Sequence, residues 1–444
     1  MNQGHGTRID IVDEAVATAF DGLLATVAYN FDSKMAFVVE VCVSVVSTLM
    51  LKDVSNPVGL ILIDNPSTGK TTALSMFYDL PMVYRSDAFT PASFVSHAAN
   101  VKRKKLEEID LLPRIKHKCL VVPEMAPFFS QRLDDLTKSV GILTRVFDGE
   151  GYWSDSGTHG GRGYREEFPF AMLGATTPIS KAVWKVMGQF GSRLLFLTLN
   201  SSLNAEERLA KSFSDVFFRG AKSFKERVAE CRAAASHFFT VLTDQVSPAA
   251  FAHSVHWDTN VDPRDLKLQI SIISEFAASA RSKVATWDSK SRDAKNSRDF
   301  SQPLKEGPQR ITAILYSLAR AHAVARGRRQ MNQDDMPLII ETALSSMPYD
   351  RRQVVNLLLG DQSPTKACVR GQVSSSDIEE SLTISRPTAI RIIDELTLLG
   401  IGRKTPGNSN QPCTLTIDHV YDWLISDQFA SYRCVWQDIQ TGPC

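Results

Sequence analysis

Between about residue 55 and residue 200, short apolar runs alternate with longer amphipathic stretches. The apolar runs are GLILID (59–64), PMVYRSD (81–87), KCLVVPE (118–124), FPFAMLGATT (168–177) and RLLFLTL (193–199). Their short lengths and the helix breakers around them are typical of buried strands. Helices are predicted between them, from Pro91 to about Asn100, from about Ser130 to Phe147, and through Met187. Strands that alternate with helices predict a parallel α/β sheet.

Apolar residues at helical spacing dominate both flanks of this region. Residues 8–51 predict helices that end at Asn56-Pro57. The most apolar run, Met35 to Leu51, contains Glu40 and is shorter than the roughly 20 residues that span a bilayer, so it predicts a buried helix. Residues 204–244 and 262–349 predict further helices, and the polar stretch 287–308 predicts a loop between helices.

Residues 374–417 have the pattern of a helix-turn-helix that is followed by a two-stranded wing. Ser374–Ser376 predict the cap of a short helix, 383–385 predict a turn, and Ile390, Ile393 and Leu396 predict the apolar face of a second helix. In a winged helix-turn-helix the second helix enters the major groove of DNA. Four basic residues are therefore DNA-binding candidates: Arg386, Arg391, Arg403 and Lys404. A regulatory or protein-docking lobe is the alternative.

The composition is that of an ordinary globular protein. The 444 residues are 43% hydrophobic and 22% charged, and at roughly 100–200 residues per domain they predict two to four domains. The net charge is +1, so any nucleic acid must be held by local basic surfaces. The seven cysteines form no zinc-binding pattern, which indicates a reducing compartment. The first residues lack the pattern of a signal peptide, so we expect a cytoplasmic location and no membrane partner.

The segment DNPSTGKTT follows the first strand and precedes the helix-forming ALSMFYDL. Gly69-Lys70-Thr71 matches the end of a phosphate-binding loop, in which Lys70 reaches the β- and γ-phosphates of ATP and Thr71 binds Mg²⁺. Asp64 stands where the pattern has its first glycine, and a chance match at a helix start is the alternative. The nucleotide-binding candidates are Asn65, Pro66, Ser67, Thr68, Gly69, Lys70, Thr71 and Thr72.

The third apolar run ends in Pro123-Glu124, where P-loop ATPases usually have Asp-Glu. Glu124 is expected to polarise the water that attacks the γ-phosphate. Because Pro123 cannot bind a cation, Mg²⁺ would depend on Thr71, phosphate and water. A surface glutamate at a strand end is the alternative.

The segment FAMLGATTPISKAVWKVMGQFGSRLLFLTL resembles the sensor strand and arginine-finger segment of AAA+ ATPases. It is most similar to the minichromosome-maintenance (MCM) helicases and to MCM-like helicases of plasmids, phages and mobile elements. The resemblance places Thr176 or Thr177 at the sensor position, where MCM proteins carry Asn, and Ser192-Arg193 at the finger position. Because such an arginine acts on the nucleotide of a neighbouring subunit, the resemblance implies a homo-oligomeric ring, with a hexamer favoured.

Two more segments extend this resemblance. Residues 308–344 look like the MCM lid, in which Arg310 would be a second sensor of the γ-phosphate; a solvated arginine at a helix start is the alternative. His322, on an apolar face, is expected to be packed rather than catalytic. Residues 149–168 suit a β-hairpin, which in MCM-like proteins touches DNA, so His159 and Arg162 are further DNA-binding candidates. A partner contact or a plain glycine-rich connection would give the same pattern.

The resemblance implies a P-loop AAA+ domain with a five-stranded parallel sheet in the order 5-1-4-3-2, an α-helical lid and a C-terminal winged helix. The corresponding parts are an N-terminal helical segment (1–54), the ATPase core (55–202), the lid (203–349), the winged helix-turn-helix (350–425) and a tail (426–444).

The leading hypothesis is an MCM-like DNA helicase or translocase that uses ATP and Mg²⁺. An ATP-gated DNA-binding switch with slow hydrolysis, such as a loader, regulator or defence component, is the alternative that Asp64 and Pro123 favour. A nucleotide-binding oligomeric scaffold without catalysis is the third. The candidate catalytic residues are Glu124, Thr176, Thr177, Arg193 and Arg310.

Overall fold

The structure is a computed structural model that describes residues 13–433, except 55, 89, 97–102, 157–159, 192, 200–221, 245–250, 285, 289–297, 301, 304, 361–368 and 408–410. The strands are β1 (Val58–Ile63), β2 (Val83–Arg85), β3 (Cys119–Val122), β4 (Trp153–Ser156), β5 (Gly160–Gly163), β6 (Ala171–Thr176), β7 (Leu194–Thr198), β8 (Thr286–Asp288), β9 (Arg298–Phe300), β10 (Gln372–Ser374), β11 (Gly402–Thr405) and β12 (Thr414–Ile417). The α-helices are α1 (Glu14–Asn30), α2 (Ser33–Ser47), α3 (Lys70–Ser75), α4 (Arg103–Ile109), α5 (Leu111–Ile115), α6 (Ala126–Phe129), α7 (Leu133–Val146), α8 (Lys181–Phe190), α9 (Phe224–Asp244), α10 (Arg264–Arg281), α11 (Gln309–Ala325), α12 (Met336–Ser345), α13 (Tyr349–Leu358), α14 (Ser375–Leu382) and α15 (Arg386–Leu398).

Five parallel strands form the central sheet, in the order β2-β3-β6-β1-β7. In its middle, Leu60 of β1 lies opposite Leu173 of β6 and Leu195 of β7. Every residue of β1, β3, β6 and β7 is buried, as expected for parallel strands that are covered on both faces. The predicted α/β class and the five-stranded parallel sheet are confirmed.

The strand labels across the sheet, 2-3-6-1-7, differ from the predicted 5-1-4-3-2. The difference arises because β4 and β5 pair with each other in a separate hairpin, between the third and fourth strands of the sheet along the chain. When only the sheet's own five strands are counted, their order from the β7 edge is 5-1-4-3-2.

Helices cover both faces of the sheet because alternate side chains of each strand point to opposite sides. On one face, Leu60 and Leu62 belong to a hydrophobic cluster that extends through α2 and α3 into the helices near the chain's ends. On the other face, Ile61 and Ile63 pack with residues of α5 to α8, among them Trp184. The sheet is therefore buried on both sides, and only its edges remain for chemistry.

The N-terminal helices are part of the core. α2 with the following 3-10 turn, Ser33–Met50, is long and apolar enough to cross a membrane by length and composition, but 83% of this segment is buried inside the protein. It packs against α1, α11 and the central sheet. The prediction of a buried helix over Met35–Leu51 is confirmed, and residues 1–12 lie outside the described part of the chain.

Two local predictions are wrong. The helix predicted from Pro91 to about Asn100 is a single 3-10 turn over Pro91–Ser93 in the described part, because the N–H of Ser96 donates to Asp110 Oδ1 at 2.8 Å instead of to a helical carbonyl. The polar stretch 287–308, predicted as a loop, contributes to the antiparallel pair β8–β9. Backbone hydrogen bonds pair these two short strands, and their sequences show no alternation of apolar and polar residues. The sequence pattern therefore could not reveal them.

A buried ionic cluster joins α2 to α11. His322 Nδ1 lies 2.6 Å from Asp335 Oδ1, and its Nε2 lies 2.9 Å from Glu40 Oε1. Burial opposes the charge on His322, but the two carboxylates outweigh it and raise the pKa of the imidazole. The same contacts, together with Arg326 and Arg328, hold the pKa values of Glu40 and Asp335 below their usual range in spite of burial. His322 is packed, as predicted, and its neighbours favour the protonated form.

Replacement of His322 by alanine is expected to destabilise the fold more at pH 6 than at pH 9. A raised pKa contributes stability that is complete below the unfolded value of about 6.5 and is lost as the pH rises through the folded value. At pH 6 the variant leaves Glu40 and Asp335 with one cation fewer, at a cost of about 3 kcal/mol. Urea unfolding measures this difference, with the exposed His237→Ala as the control. An equal loss at both pH values would contradict a protonated His322.

Candidate functional site

The segment between β1 and α3 forms a loop around the ammonium group of Lys70. Residues 65–68 are exposed, whereas Lys70 is only 8% exposed. Ser67 and Gly69 have φ angles of +65° and +91°, in the left-handed region that lets a chain turn sharply. The strand, loop and helix that the sequence analysis predicts here are all present.

Three oxygens of this loop hold the Lys70 ammonium. Nζ donates to the carbonyl oxygens of Asp64 at 2.8 Å and Asn65 at 2.6 Å, and lies 3.3 Å from Thr68 Oγ1. Burial lowers the pKa of Lys70, and the negative charges of Asp64 and Glu124 oppose this shift. The three hydrogen-bonded oxygens are uncharged. Phosphate oxygens that replaced them would form stronger, charge-assisted hydrogen bonds with the same ammonium.

The sensor and base candidates lie at the same edge of the sheet as Lys70. Glu124 follows β3, is exposed, and accepts the N–H of Ala126 on Oε1 at 2.8 Å. Thr176 is the last residue of β6 and lies opposite Ile63, while Thr177 is half-buried in the following turn. The Thr176 hydroxyl is buried and has no hydrogen-bond partner among the described residues. Because the carboxyl ends of parallel strands share one edge, these groups lie at the same end of the sheet as the loop.

Few side chains near the loop could bind a divalent cation. Thr71 is exposed in the first turn of α3, next to the half-buried Thr72. Pro123 is buried and offers no side-chain oxygen. Within the described ranges, no group of three His, Cys, Asp or Glu side chains is arranged to hold a metal ion. A divalent cation at this edge would thus depend on Thr71 and on oxygens that a bound phosphate supplies.

Arg193 and Arg310 meet at a different place, around Asp148 at the end of α7. Arg193 Nη2 lies 3.1 Å and Arg310 Nη2 3.3 Å from Asp148 Oδ1, and Arg193 Nη1 also donates to the carbonyl of Gly191 at 2.7 Å. Arg145 reaches the other carboxylate oxygen at 3.4 Å. Asp148 cannot be recognised as a site residue from the sequence, because a lone aspartate before a glycine carries no motif.

This arginine pair lies at the sheet edge opposite to the loop. Arg193 directly precedes β7, whose first residue, Leu194, lies opposite Gly59, whereas Ile63 at the loop end lies opposite Thr198. At about 3.3 Å per residue, β7 separates the two edges by roughly 13 Å. Within one chain, therefore, neither arginine reaches the loop around Lys70.

An ion pair and a hydrogen bond to Asp110 hold the hairpin β4–β5 against the rest of the protein. Arg162 Nη2 lies 2.5 Å and Tyr164 Oη 2.7 Å from Asp110 Oδ2, and the Asp110 side chain is fully buried. Burial and the hydrogen bond to Asp110 raise the pKa of Tyr164. The hairpin predicted over 149–168 is present. Arg162, which was expected to contact DNA, forms an internal ion pair with Asp110. His159 lies outside the described residues.

Arg162→Ala is expected to lower the free energy of unfolding by about 3 kcal/mol, because it leaves the buried Asp110 carboxylate without its cation. Urea unfolding tests this, and Arg165→Ala on the same hairpin, whose guanidinium lies over Trp153, is the matched control. A variant that is as stable as the wild type would show that Arg162 does not neutralise Asp110.

The C-terminal unit consists of two helices and a three-stranded sheet in the order β10-β12-β11. α14 begins with a capping box between Ser374 and Asp377, and Thr383 turns the chain with a φ of +52°. β11 and β12 form the predicted hairpin, and β10, which was not predicted, pairs with β12. The two helices and the hairpin predicted over 374–417 are thus present.

The four basic candidates of this unit differ in their contacts. Arg386 is exposed at the start of α15, and the Arg403 side chain is 75% exposed beside Asp418. Lys404 donates to Asp394 at 2.6 Å. Arg391 binds Glu395 and lies 3.2 Å from Asp350 of α13, so it faces the body of the protein. A long-range contact that the sequence did not show thus engages Arg391 internally, and its contact with DNA stays a prediction.

No protein-family model and no curated protein matches the chain. Among solved structures, the apo A form of the NrS-1 C-terminal region is similar at 11% identity, with 92% of this chain and 76% of that chain covered. The TM-score is 0.29, which is too low to support a conclusion about fold or function. The function must therefore be inferred from the residues of this chain.

Proposed function

We propose that the protein is an AAA+ ATPase that hydrolyses ATP at sites shared between copies and couples hydrolysis to binding and movement on DNA, like MCM-like helicases. The observation that carries the proposal is the division of charged and hydroxyl side chains between the two sheet edges. Lys70, Glu124 and Thr176 lie at the carboxyl edge, and Arg193 and Arg310 lie at the amino edge.

At the carboxyl edge, the loop residues 65–71 fit the phosphates of a nucleotide. Lys70 would exchange its loop carbonyls for the β- and γ-phosphates, and the exposed Thr71 hydroxyl would bind Mg²⁺. The cation would neutralise charge that develops on the transferred phosphoryl group. Glu124 is the base candidate that orients water, and the buried, unpartnered Thr176 hydroxyl can donate to a phosphate or to that water.

At the amino edge, the arginine pair carries a surplus of positive charge. Arg193 and Arg310 bring two positive charges and Asp148 one negative charge, which leaves +1. Arginine is suited to phosphate because its planar guanidinium donates two parallel hydrogen bonds. Since these arginines face away from their own loop, they can serve only the nucleotide of a second copy. Such a head-to-tail contact between two different edges excludes a two-fold dimer and builds a ring when the rotation between successive copies closes.

DNA binding is proposed at the exposed side chains of the winged unit. Arg386→Ala and Arg403→Ala are each expected to weaken DNA binding several-fold and to reduce the slope of log affinity against log salt by about one, since each removes a phosphate contact. Fluorescence anisotropy with labelled duplex at several salt concentrations measures both quantities. Arg85→Ala, which removes an exposed arginine of β2, is the control. Unchanged affinity and slope in both variants would contradict this DNA surface.

An ATP-gated switch with slow hydrolysis is the second candidate, and two observations favour it. Pro123 replaces the acidic residue that normally organises Mg²⁺, and one oxygen of Glu124 is already occupied by the N–H of Ala126. Strand separation of a forked duplex distinguishes the candidates, because only a helicase couples ATP hydrolysis to unwinding.

The proposal is tested by steady-state ATP hydrolysis with no DNA, with single-stranded DNA and with duplex DNA, over a range of protein concentrations. A shared-site motor predicts hydrolysis that DNA stimulates and whose rate per chain rises steeply with concentration as copies assemble. Negligible hydrolysis with every DNA, despite ATP binding, would contradict the motor and would favour the ATP-gated switch.

A further inference from the structure

Two histidines meet at the amino edge of the central sheet. His117 lies two residues before β3, and His253 lies in the segment that leads to α10. Their ring centroids are 5.3 Å apart, and the ring planes are at 89° to each other. His117 is exposed and His253 is half-buried, so the pair is open to solvent.

Both histidines have a left-handed backbone conformation, which side chains other than glycine rarely adopt. The φ angle is +60° at His117 and +55° at His253. The N–H of His117 donates to the carbonyl of Pro169 at 2.7 Å, and the N–H of His253 donates to the carbonyl of Leu49 at 2.8 Å. Strained residues persist only where the surrounding structure fixes them, and they cluster at functional sites. The two imidazoles are thus presented to each other by a fixed backbone.

The ring of His253 makes the second hydrogen bond that metal-binding histidines usually make. Its Nδ1 lies 3.3 Å from the carbonyl oxygen of Lys52. Because a carbonyl only accepts, Nδ1 carries the proton of the neutral ring and Nε2 keeps a free lone pair. Histidine ligands of metal ions typically donate their other ring N–H to a carbonyl or carboxylate in this way.

The charges around His117 favour its neutral form. Partial desolvation lowers the pKa of His117, and the charges of His253 and Lys116 lower it further. A histidine binds a metal ion in the neutral form. Glu166 lies 2.9 Å from the Lys116 ammonium and balances its charge, which reduces the repulsion that a bound cation would meet.

The distance between the two rings fits a shared metal ion. With Zn–N bonds of about 2.1 Å and a tetrahedral angle, two imidazole ring centres lie roughly 5.2 Å apart. Perpendicular rings are compatible with this arrangement, because both ring planes can contain the ion. Edge-to-face ring packing is the alternative, but packing alone gives no reason for two left-handed residues.

We propose that His117 and His253 bind a divalent transition-metal ion between their imidazole rings, and Zn²⁺ is the ion that the geometry fits. Imidazole suits such ions, whereas Mg²⁺ prefers oxygen ligands. The described residues hold no group of three His, Cys, Asp or Glu side chains placed for a metal ion, so water fills the remaining positions. The bound ion would clamp the start of β3 to the segment before α10. This site does not depend on the proposed ATPase.

The test is zinc binding to the full chain, freed of metal with a chelator and kept in a buffer with Mg²⁺. His117→Asn and His253→Asn are the variants, because asparagine tolerates the left-handed conformation and removes the imidazole. Calorimetry should show a saturable site in the wild type and zinc affinity at least about tenfold weaker in each variant. His256→Asn, which removes an exposed histidine three residues after His253, is the matched control and should keep the wild-type affinity. Zinc should also raise the melting temperature of the wild type and the control, but not of the two variants.

A second measurement uses the wild type alone. Zinc should protect His117 and His253 from carbethoxylation by diethyl pyrocarbonate, while His256 stays reactive, as read by peptide mass spectrometry. Three results would overturn the inference: no saturable zinc binding by the wild type, unchanged zinc affinity in both folded variants, or equal modification of the pair with and without zinc. A loss of affinity in His256→Asn as large as in the two variants would also reject the pair as the site.

Discussion

Lys70→Ala is expected to lower steady-state ATP hydrolysis by at least about 100-fold, because the variant loses the cation that stabilises the charge of the transferred phosphoryl group. In the structure this ammonium is buried within the loop, held only by uncharged oxygens, and near the negative charges of Asp64 and Glu124. Those carboxylates would repel phosphates once the lysine is gone, so nucleotide affinity should fall together with the rate.

The measurement is ATP turnover at saturating ATP, together with ATP affinity by calorimetry. Lys185→Ala, on the exposed side of α8, is the matched control and should keep the wild-type rate. The fold should persist because the three hydrogen bonds of Lys70 Nζ go to residues of its own loop. A Lys70→Ala protein that is folded and still hydrolyses ATP at a wild-type rate would exclude this loop as the catalytic site.

Arg193→Ala is expected to lower hydrolysis by at least about 100-fold while ATP affinity of the isolated chain stays near the wild-type value. The rate falls because an arginine supplied to the γ-phosphate from a neighbouring copy stabilises the transition state. The affinity stays because Arg193 lies at the opposite sheet edge, beyond the reach of its own loop.

Arg145→Ala is the matched control for this variant, because Arg145 also contacts Asp148 but is half exposed and lies outside the pair. Its rate should match the wild type. If Arg193→Ala instead abolished ATP binding in a dilute, monomeric sample, the arginine would act within its own chain. A folded Arg193→Ala with full activity would remove it from the mechanism.

The parts of the fold that the sequence predicts well are those in which local pattern and tertiary burial agree. The run GLILID appears as a wholly buried strand, and the following glycine and lysine form the expected loop and helix start. α4 and α5 were missed because they lie in a stretch interrupted by charged residues and Pro113, without a clear helical period. β10 was missed because three residues pair with a strand some forty positions away.

In the candidate site, too, the sequence predicts local features but not long-range contacts. Residues at strand ends could be placed from the sequence, because the carboxyl ends of parallel strands share one edge. The contacts of Arg162 with Asp110 and of Arg391 with Asp350 join elements 52 and 41 positions apart, which a single sequence does not reveal. The meeting of Arg193 and Arg310 at Asp148 likewise became visible only in three dimensions.

Co-assembly of the two inactive variants tests most directly whether one chain's loop works with another chain's arginine. Lys70→Ala and Arg193→Ala chains, carrying different tags, are co-expressed, purified through both tags, and assayed for ATP hydrolysis beside each variant alone. In random mixed rings, about one interface in four combines an intact loop with an intact arginine from the neighbour. We therefore expect the mixture to regain up to about a quarter of the wild-type rate. A mixture that assembles but is no more active than either variant alone would contradict a shared active site.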